Sequence, residues 1–226
     1  MIDEIFQFEN FKLDRFLLII FVTLAFYFEC LSKSYSQSDP LIGEMLNEMA
    51  ESKNFPRKLL DGANSGDANL QAQLSFEYLN GIDGFARSPT EAVRWAKEAE
   101  RQNNAYGIYL IGYYYRVGFG LPKDYKKSLT YYDRSARMGF LRAIFTLRDE
   151  YSVGEITKVD IYRSYVWASI AAFLSDKLST RPNWSLEYSA ASERDRIEKN
   201  LSQSEILRAQ QEVSRCLSSN LNQCLN

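Results

Sequence analysis

The sequence predicts an all-α protein, an α-solenoid of about three helix-turn-helix units closed by N- and C-terminal capping helices, and three observations predict it. The first is a period. Leu74, Ile111 and Leu147 stand 37 and 36 residues apart, Gly81, Gly118 and Gly154 follow the same steps, and Trp95, Tyr131 and Trp167 are separated by 36 and 36. Three columns in phase indicate supersecondary units that bury their apolar faces only by stacking. The second is the glycine that closes each first helix, where a tight turn favours a residue tolerant of positive φ. The third is a small residue three before each aromatic: Ala92 with Trp95, Ser128 with Tyr131, Ser164 with Trp167. A small residue lets two helices approach, and the aromatic fills the wedge left beside them.

Taken in order, residues 1–36 read as a signal peptide or membrane anchor plus linker. Phe16 to Phe28 (FLLIIFVTLAFYF) is an apolar run preceded by Lys12 and Arg15, shorter than the ~20 residues of a spanning helix and closer to a signal-peptide core. Ser34-Tyr35-Ser36 offers a small-x-small cleavage site, leaving Gln37 as the new N-terminus. The acidic residues Asp3, Glu4, Glu9 and Asp14 do not suit a leader, which keeps open an uncleaved inner-membrane anchor or a later start; a buried core helix is the remaining alternative, though one would rarely stand between an acidic tail and a polar linker. Export, to the periplasm or beyond, is the expectation. After the polar linker SKSYSQSDP, residues 37–65 form an N-terminal cap, with Leu41, Met45, Leu46, Met49, Phe55 and Leu59 at helical spacing and an interruption near Pro56.

Residues 66–175 hold the three repeats, each with a first helix of about 13 residues, a loop and a second helix. In the middle copy Gly118 and Gly120 bracket Phe119, and Leu121-Pro122 is read as the start of the second helix. The Gly-x-Gly lacks the preceding strand and third glycine of a phosphate loop. Residues 176–226 form a C-terminal helical cap. There the chain breaks at Arg181-Pro182-Asn183, and Ser202 with Glu205 is a capping box opening the last helix, which is expected to seal the exposed end of the stack.

Composition narrows the function. Charge is nearly balanced, 27 Lys+Arg against 29 Asp+Glu, so the basic footprint of a nucleic-acid binder is missing. The sequence holds no histidine, which removes His-assisted nucleophilic catalysis, imidazole metal sites and a histidine pH switch. Neighbouring carboxylates, Asp149-Glu150 and Glu193 with Asp195, read as solvated helix faces rather than acid/base pairs. Nothing suggests a cofactor or metal.

The columns resemble the SEL-1-like repeat (SLR) family, a relative of the tetratricopeptide repeat. Gly66-Asp67-Ala68, Leu74, Tyr78, Gly81, Ala92, Trp95 and Ala99 match it in the first copy. Ala105, Ile111-Gly112, Tyr115, Gly118, Gly120, Pro122, Asp124, Tyr131, Ser135-Ala136 and Gly139 match it in the second. Ala143, Leu147, Tyr151, Gly154, Trp167 and Ala171 match it in the third, where Arg148 replaces the packing glycine, implying a looser contact, and the loop lacks its second glycine. Ile161 to Ala172 and Arg194 to Gln211 resemble the closing module behind such repeats. The resemblance implies a scaffold or adaptor that binds a protein or peptide and has no catalysis of its own. It also raises a second class, a hydrolase of cell-wall or β-lactam-like substrates, known among relatives with cysteine pairs in every repeat; the repeats here contain none.

In stacked helix hairpins the first helix of each unit lines the concave side. Its expected exposed positions are Asn69, Ala72 and Phe76, then Tyr106, Tyr109, Tyr113 and Arg116, then Arg142, Phe145, Asp149 and Ser152. From these, Phe76, Tyr106, Tyr109, Tyr113, Arg116, Arg142 and Asp149 form the candidate binding set, because tyrosine and arginine dominate binding hot spots; Tyr109 and Phe145 could equally pack between repeats. Cys216 and Cys224, eight apart around the turn-like SSNLNQ, are a candidate disulfide in an exported chain and two free thiols in a reducing one. Cys30 lacks the small-residue approach of a lipid-attachment site.

Overall fold

The computed structural model describes residues 54–178, 190–222, 224 and 225, with the side chains of 176–178 left out. The expectations for Phe16–Phe28, the Ser34–Ser36 cleavage site, Gln37, Cys30 and the Arg181-Pro182-Asn183 break lie outside the described residues. The chain divides into two units at Phe55/Pro56, and the helical stack belongs to the second.

Every regular element among the described residues is an α-helix. Residues 54–64 form α1, followed by α2 (Ala68–Asn80), α3 (Pro89–Arg101), α4 (Ala105–Val117), α5 (Tyr125–Arg137), α6 (Leu141–Val153), α7 (Ile161–Leu178), α8 (Ala190–Glu198) and α9 (Gln203–Ser218). Pro56 lies near the start of the described part of α1, and the expected cap residues Leu41, Met45, Leu46 and Met49 lie outside the described residues. Each of α2 to α6 has 13 residues. The pairs α2–α3, α4–α5 and α6–α7 are three hairpins, each packed on the next, with α8 and α9 against α7.

The helices start and stop where local chemistry provides for their orphan amides and carbonyls. Asp67, Ser88, Asn104, Asp124 and Ser202 each accept backbone N–H groups at an N-cap, and the Ser202–Glu205 capping box is complete. Gly81, Gly118 and Gly154 close α2, α4 and α6 at φ 71, 74 and 78, the left-handed region that favours glycine. The second helix of the middle hairpin begins at Tyr125, later than Leu121-Pro122, because the Asp124 carboxylate caps it there by accepting the Lys127 amide at 2.9 Å.

The repeat columns are the core. Leu74, Ile111 and Leu147 are buried, as are the small residues Ala92, Ser128 and Ser164 and the tryptophans Trp95 and Trp167. The middle copy departs from the expected column: Tyr131 is only half-buried and stacks on Tyr115 at 5.7 Å, while its neighbour Tyr132 is fully buried. At the N-terminal end α1 buries Leu59 and Ala63, and Gln71 donates to the Ala63 carbonyl at 3.1 Å. At the other end α9 buries Ile206, Ala209 and Cys216 in the same cluster as Trp167 and Ile170.

In the third hairpin Arg148 takes the place of the packing glycine. In the middle hairpin a Cβ on Gly112 would meet Tyr132 at 2.8 Å, so glycine is what lets the tyrosine in. One period on, Arg148 stands where Gly112 stood and Ala168 where Tyr132 stood, so bulk has changed sides. The arginine side chain is only 11% exposed, with its guanidinium over the Phe145 ring at 5.1 Å and bonded to Asp149 at 2.8 Å.

The chain then turns back on itself. Cys216 and Cys224 are both fully buried, with Cα atoms 4.7 Å apart, inside the roughly 4.4–6.8 Å range over which a disulfide can form.

Candidate protein-binding surface

α2 packs directly against α4, whereas the second helices α3 and α5 are joined through the side chains of their C-terminal ends, Arg134 donating to Glu100 at 2.7 Å and to Asn103 at 3.0 Å. The first-helix side is therefore the tighter, inner side of these two units, as stacked hairpins require.

A chain of aromatic rings runs along it. Phe76 and Tyr106 lie 6.3 Å apart between centroids; Tyr106 and Tyr109 each lie 5.4 Å from Phe140, and Tyr109 lies 5.4 Å from Tyr132. These rings join the first helix of one hairpin to the next and are tilted against one another at 31–55°. All except buried Tyr132 are partly exposed, so each contributes to inter-repeat packing and to the surface at once. Burial pushes the Tyr106 phenol up to about 12 despite the opposing pull of Arg142. Tyr106 is thus a neutral hydrogen-bonding group over any ordinary pH. Beside the rings Asn104 donates to Asn69 at 2.8 Å, joining the first two repeats.

The other candidates divide. Arg142 and Asp149 are exposed, and Tyr113 is half-buried against Tyr114 at 6.3 Å. Arg116 is already engaged: it pairs with Glu150 at 2.9 Å and with Glu155, tying the second repeat to the third. Ala72 is not on the surface at all, being 0% exposed: its position on α2 faces the core.

Two carboxylates read as solvated are buried instead. Glu150, 3% exposed, is held above the ordinary carboxylate range by burial, with Arg116 pulling the other way, and its second oxygen accepts the Ile156 amide at 3.3 Å. Glu193, 6% exposed, is held low by its bond to Arg196. Glu77 occupies the column of Glu150 two repeats earlier; it too is buried and shifted upward, by burial and then by Asp83. For Glu150 the sequence held no signal, since its cation, Arg116, comes from the preceding hairpin. Among the described residues no cluster of His, Cys, Asp and Glu could hold a metal ion, and no helix is long and apolar enough to cross a membrane.

This geometry has counterparts. The Sel1 repeat pattern matches residues 68–104 and 105–140, which are the first two hairpins with their turns. The chain carries Sel1 repeats. A protein of Neisseria meningitidis, NMB1327, is 39% identical over 70 residues, covering 31% of this chain and 15% of that protein. Chitin synthase regulator SKT5 of Malassezia restricta is 39% identical over 67 residues, 29% of this chain and 5% of its own length. Activator of C kinase protein 1 of Saccharomyces cerevisiae is 32% identical over 87 residues, 37% and 14%. The chain thus spans a small part of each of these relatives. Among solved structures, the uropathogenic Escherichia coli protective antigen c5321, with an SLR fold, has a TM-score of 0.47 at 31% identity over 52% of this chain and 25% of that one. A Sel1 repeat protein of Oxalobacter formigenes has a TM-score of 0.47 at 24% identity over 51% and 33%.

The Sel1 pattern stops at residue 140, yet the hairpin after it has the same 13-residue first helix, the same glycine stop and the same buried columns. It is a third unit in geometry, with Arg148 and its glycine-poor loop in place of the pattern's residues.

Proposed function

We propose that this chain is an exported Sel1-repeat adaptor that binds a protein or peptide along the inner side formed by α2, α4 and α6, without catalysing a reaction. Sel1-repeat proteins generally bind other proteins, and two of the relatives bear the names of regulators, one of chitin synthase and one of C kinase. The observation that carries the reading is the run of partly exposed rings Phe76, Tyr106, Phe140 and Tyr109, flanked by exposed Arg142. Such a surface offers apolar area at low entropic cost together with polar edges. Tyr113, Arg142 and Asp149 are the residues assigned to the partner, with Tyr106 and Phe76 as the floor.

Export rests on the apolar run Phe16–Phe28, and it makes the Cys216–Cys224 pair a structural disulfide. The test is cross-linking of the full chain in its native cells followed by mass spectrometry, repeated with Tyr113→Ala/Arg142→Ala. Loss of a specific cross-linked protein in the double variant, with unchanged helical content and Tm, is the expected result. An unchanged cross-link pattern would move the site elsewhere. N-terminal sequencing of the mature protein checks export: Gln37 is expected at the start, and Met1 would support an anchor.

A further inference from the structure

The segment after α9 is held from two directions. Along the chain, Cys224 returns to Cys216, and the Leu225 amide donates to Glu212 at 2.6 Å. Across the fold, Arg137 at the end of α5 donates to the Asn222 carbonyl at 3.1 Å and to the Cys224 carbonyl at 2.6 Å, while its Nε is fixed by Asp133 at 2.6 Å. The same short segment contains three of the five non-glycine residues with positive φ in the described chain: Asn220 at 49, Leu221 at 66 and Leu225 at 52. A leucine in that region is unfavourable unless its surroundings hold it there. Leu221 is held, with its side chain 5% exposed and its amide donating to the Cys216 carbonyl at 2.7 Å.

From this arrangement we infer that Arg137 is the latch of a redox-operated clasp: it keeps the Cys216–Cys224 pair closed to solvent, so the pair exchanges with outside thiols only when Asn222 and Cys224 let go of Arg137 on α5. The inference rests on the proposed disulfide and adds its control. Both sulfurs belong to fully buried residues, and thiol–disulfide exchange requires in-line access of a thiolate to a sulfur. Oxidation proceeds with a small disulfide as oxidant: one cysteine thiolate attacks it and releases one thiolate, then the second cysteine attacks the mixed disulfide and releases the other, leaving two reduced molecules and the bonded pair. Reduction by a dithiol runs the other way: one of its thiolates attacks a sulfur of the pair and releases one cysteine thiolate, then its second thiolate attacks the mixed disulfide, releasing the other cysteine and leaving the reagent as its own disulfide. Either direction passes through the open segment, so its rate follows the opening equilibrium. Coupling between two sites is reciprocal: if Arg137 holds the pair closed, the bonded pair also holds the segment on Arg137, and reduction loosens the tie to the second repeat.

The test uses the oxidised full chain, treated with dithiothreitol under native conditions, quenched with an alkylating agent and counted by mass. Arg137→Gln is expected to speed reduction by roughly tenfold or more, the size of one lost charged hydrogen bond. Arg134→Gln, which breaks a neighbouring pair without touching the segment, should match the wild type. Equal rates for Arg137→Gln and wild type would overturn the latch while leaving the disulfide intact. Failure of the previously reduced chain to lose two hydrogens from Cys216 and Cys224 on treatment with oxidised glutathione would overturn the disulfide itself. If Arg137→Gln does not fold, hydrogen exchange on the wild type decides. Reduction should raise exchange of the Leu221 amide and of the end of α5 together, and protection lost at Leu221 alone would overturn the coupling.

Discussion

The second and third hairpins reach the same fold by different chemistry. α4 is capped by the Asn104 side chain, which accepts the Gly107 amide at 2.9 Å; α6 has Phe140 at that position, which makes no side-chain cap and supplies a ring to Tyr106 and Tyr109 instead. The middle hairpin places Gly112 beneath Tyr132, and the third places Arg148 at the first position and Ala168 at the second. At the next column inward the middle hairpin buries the neutral Tyr114, bonded to Ser75 of the first repeat at 2.6 Å, whereas the third buries the carboxylate of Glu150 and needs Arg116. The middle loop turns through Gly120 at φ 68, where a Cβ would strike the Pro89 carbonyl oxygen at 2.7 Å; the third loop has Ile156 there, its amide bonded to Glu150. A sequence pattern registers the residues, while the fold registers volume, capping and charge balance, which is why the pattern ends at residue 140 and the stack does not.

Exchanging the two solutions is the hardest test of this contrast. Gly112→Arg should destabilise by ~3 kcal/mol through overpacking against Tyr132, and Tyr132→Ala alone by ~3–5 kcal/mol through its cavity. The double variant, which copies the third hairpin, should cost less than the sum by about 1–3 kcal/mol in urea denaturation. Strict additivity would show that the two positions do not share volume. Next in size, Arg116→Ala leaves Glu150 buried without its cation and should cost ~2 kcal/mol at pH 7, less than a wholly buried pair because Arg116 is partly exposed. Glu150 is already shifted upward by burial, and without Arg116 it shifts further. A raised carboxylate pKa means the folded state binds protons more readily, so the deficit should be largest near neutral pH and shrink as pH falls toward the unfolded carboxylate value. Thermal melts from about pH 7 to about 4.5 read this directly, and a pH-independent deficit would sink the assignment. The smallest effect belongs to the caps: Asn104→Ala should cost ~1 kcal/mol, while Phe140→Asn should return little of that through a new cap, because it removes two ring contacts. Paired chemical melts measure both.

Much of this architecture was legible in the residues. A glycine that must stop a helix and a leucine that must fill a column are local demands, so Gly81, Gly118 and Gly154 gave the period and Ser202 with Glu205 gave a helix start. The candidate surface was only half legible. Tyr106 and Tyr109 carried the right chemistry, but that they touch Phe140 depends on the turn between hairpins. Arg116 looked available because its partners, Glu150 and Glu155, lie in the next hairpin, and Glu150 looked solvated for the same reason; the Arg196 that holds Glu193 lies on Glu193's own helix. Ala72 and Tyr131 mark the angular limit of such a reading: one residue's rotation, ~100° on a helix, decides between Tyr131 and Tyr132 as the buried ring, and periodicity over three copies does not resolve it.

The grip of Arg137 on the Asn222 and Cys224 carbonyls also closes a loop in space around everything between residues 137 and 224, the third hairpin included. Those two bonds join chain positions 85 and 87 residues apart, so the short C-terminal segment fastens the second hairpin as well as the last helix, and one arginine serves as the seam between the best-preserved repeat and the chain's far end.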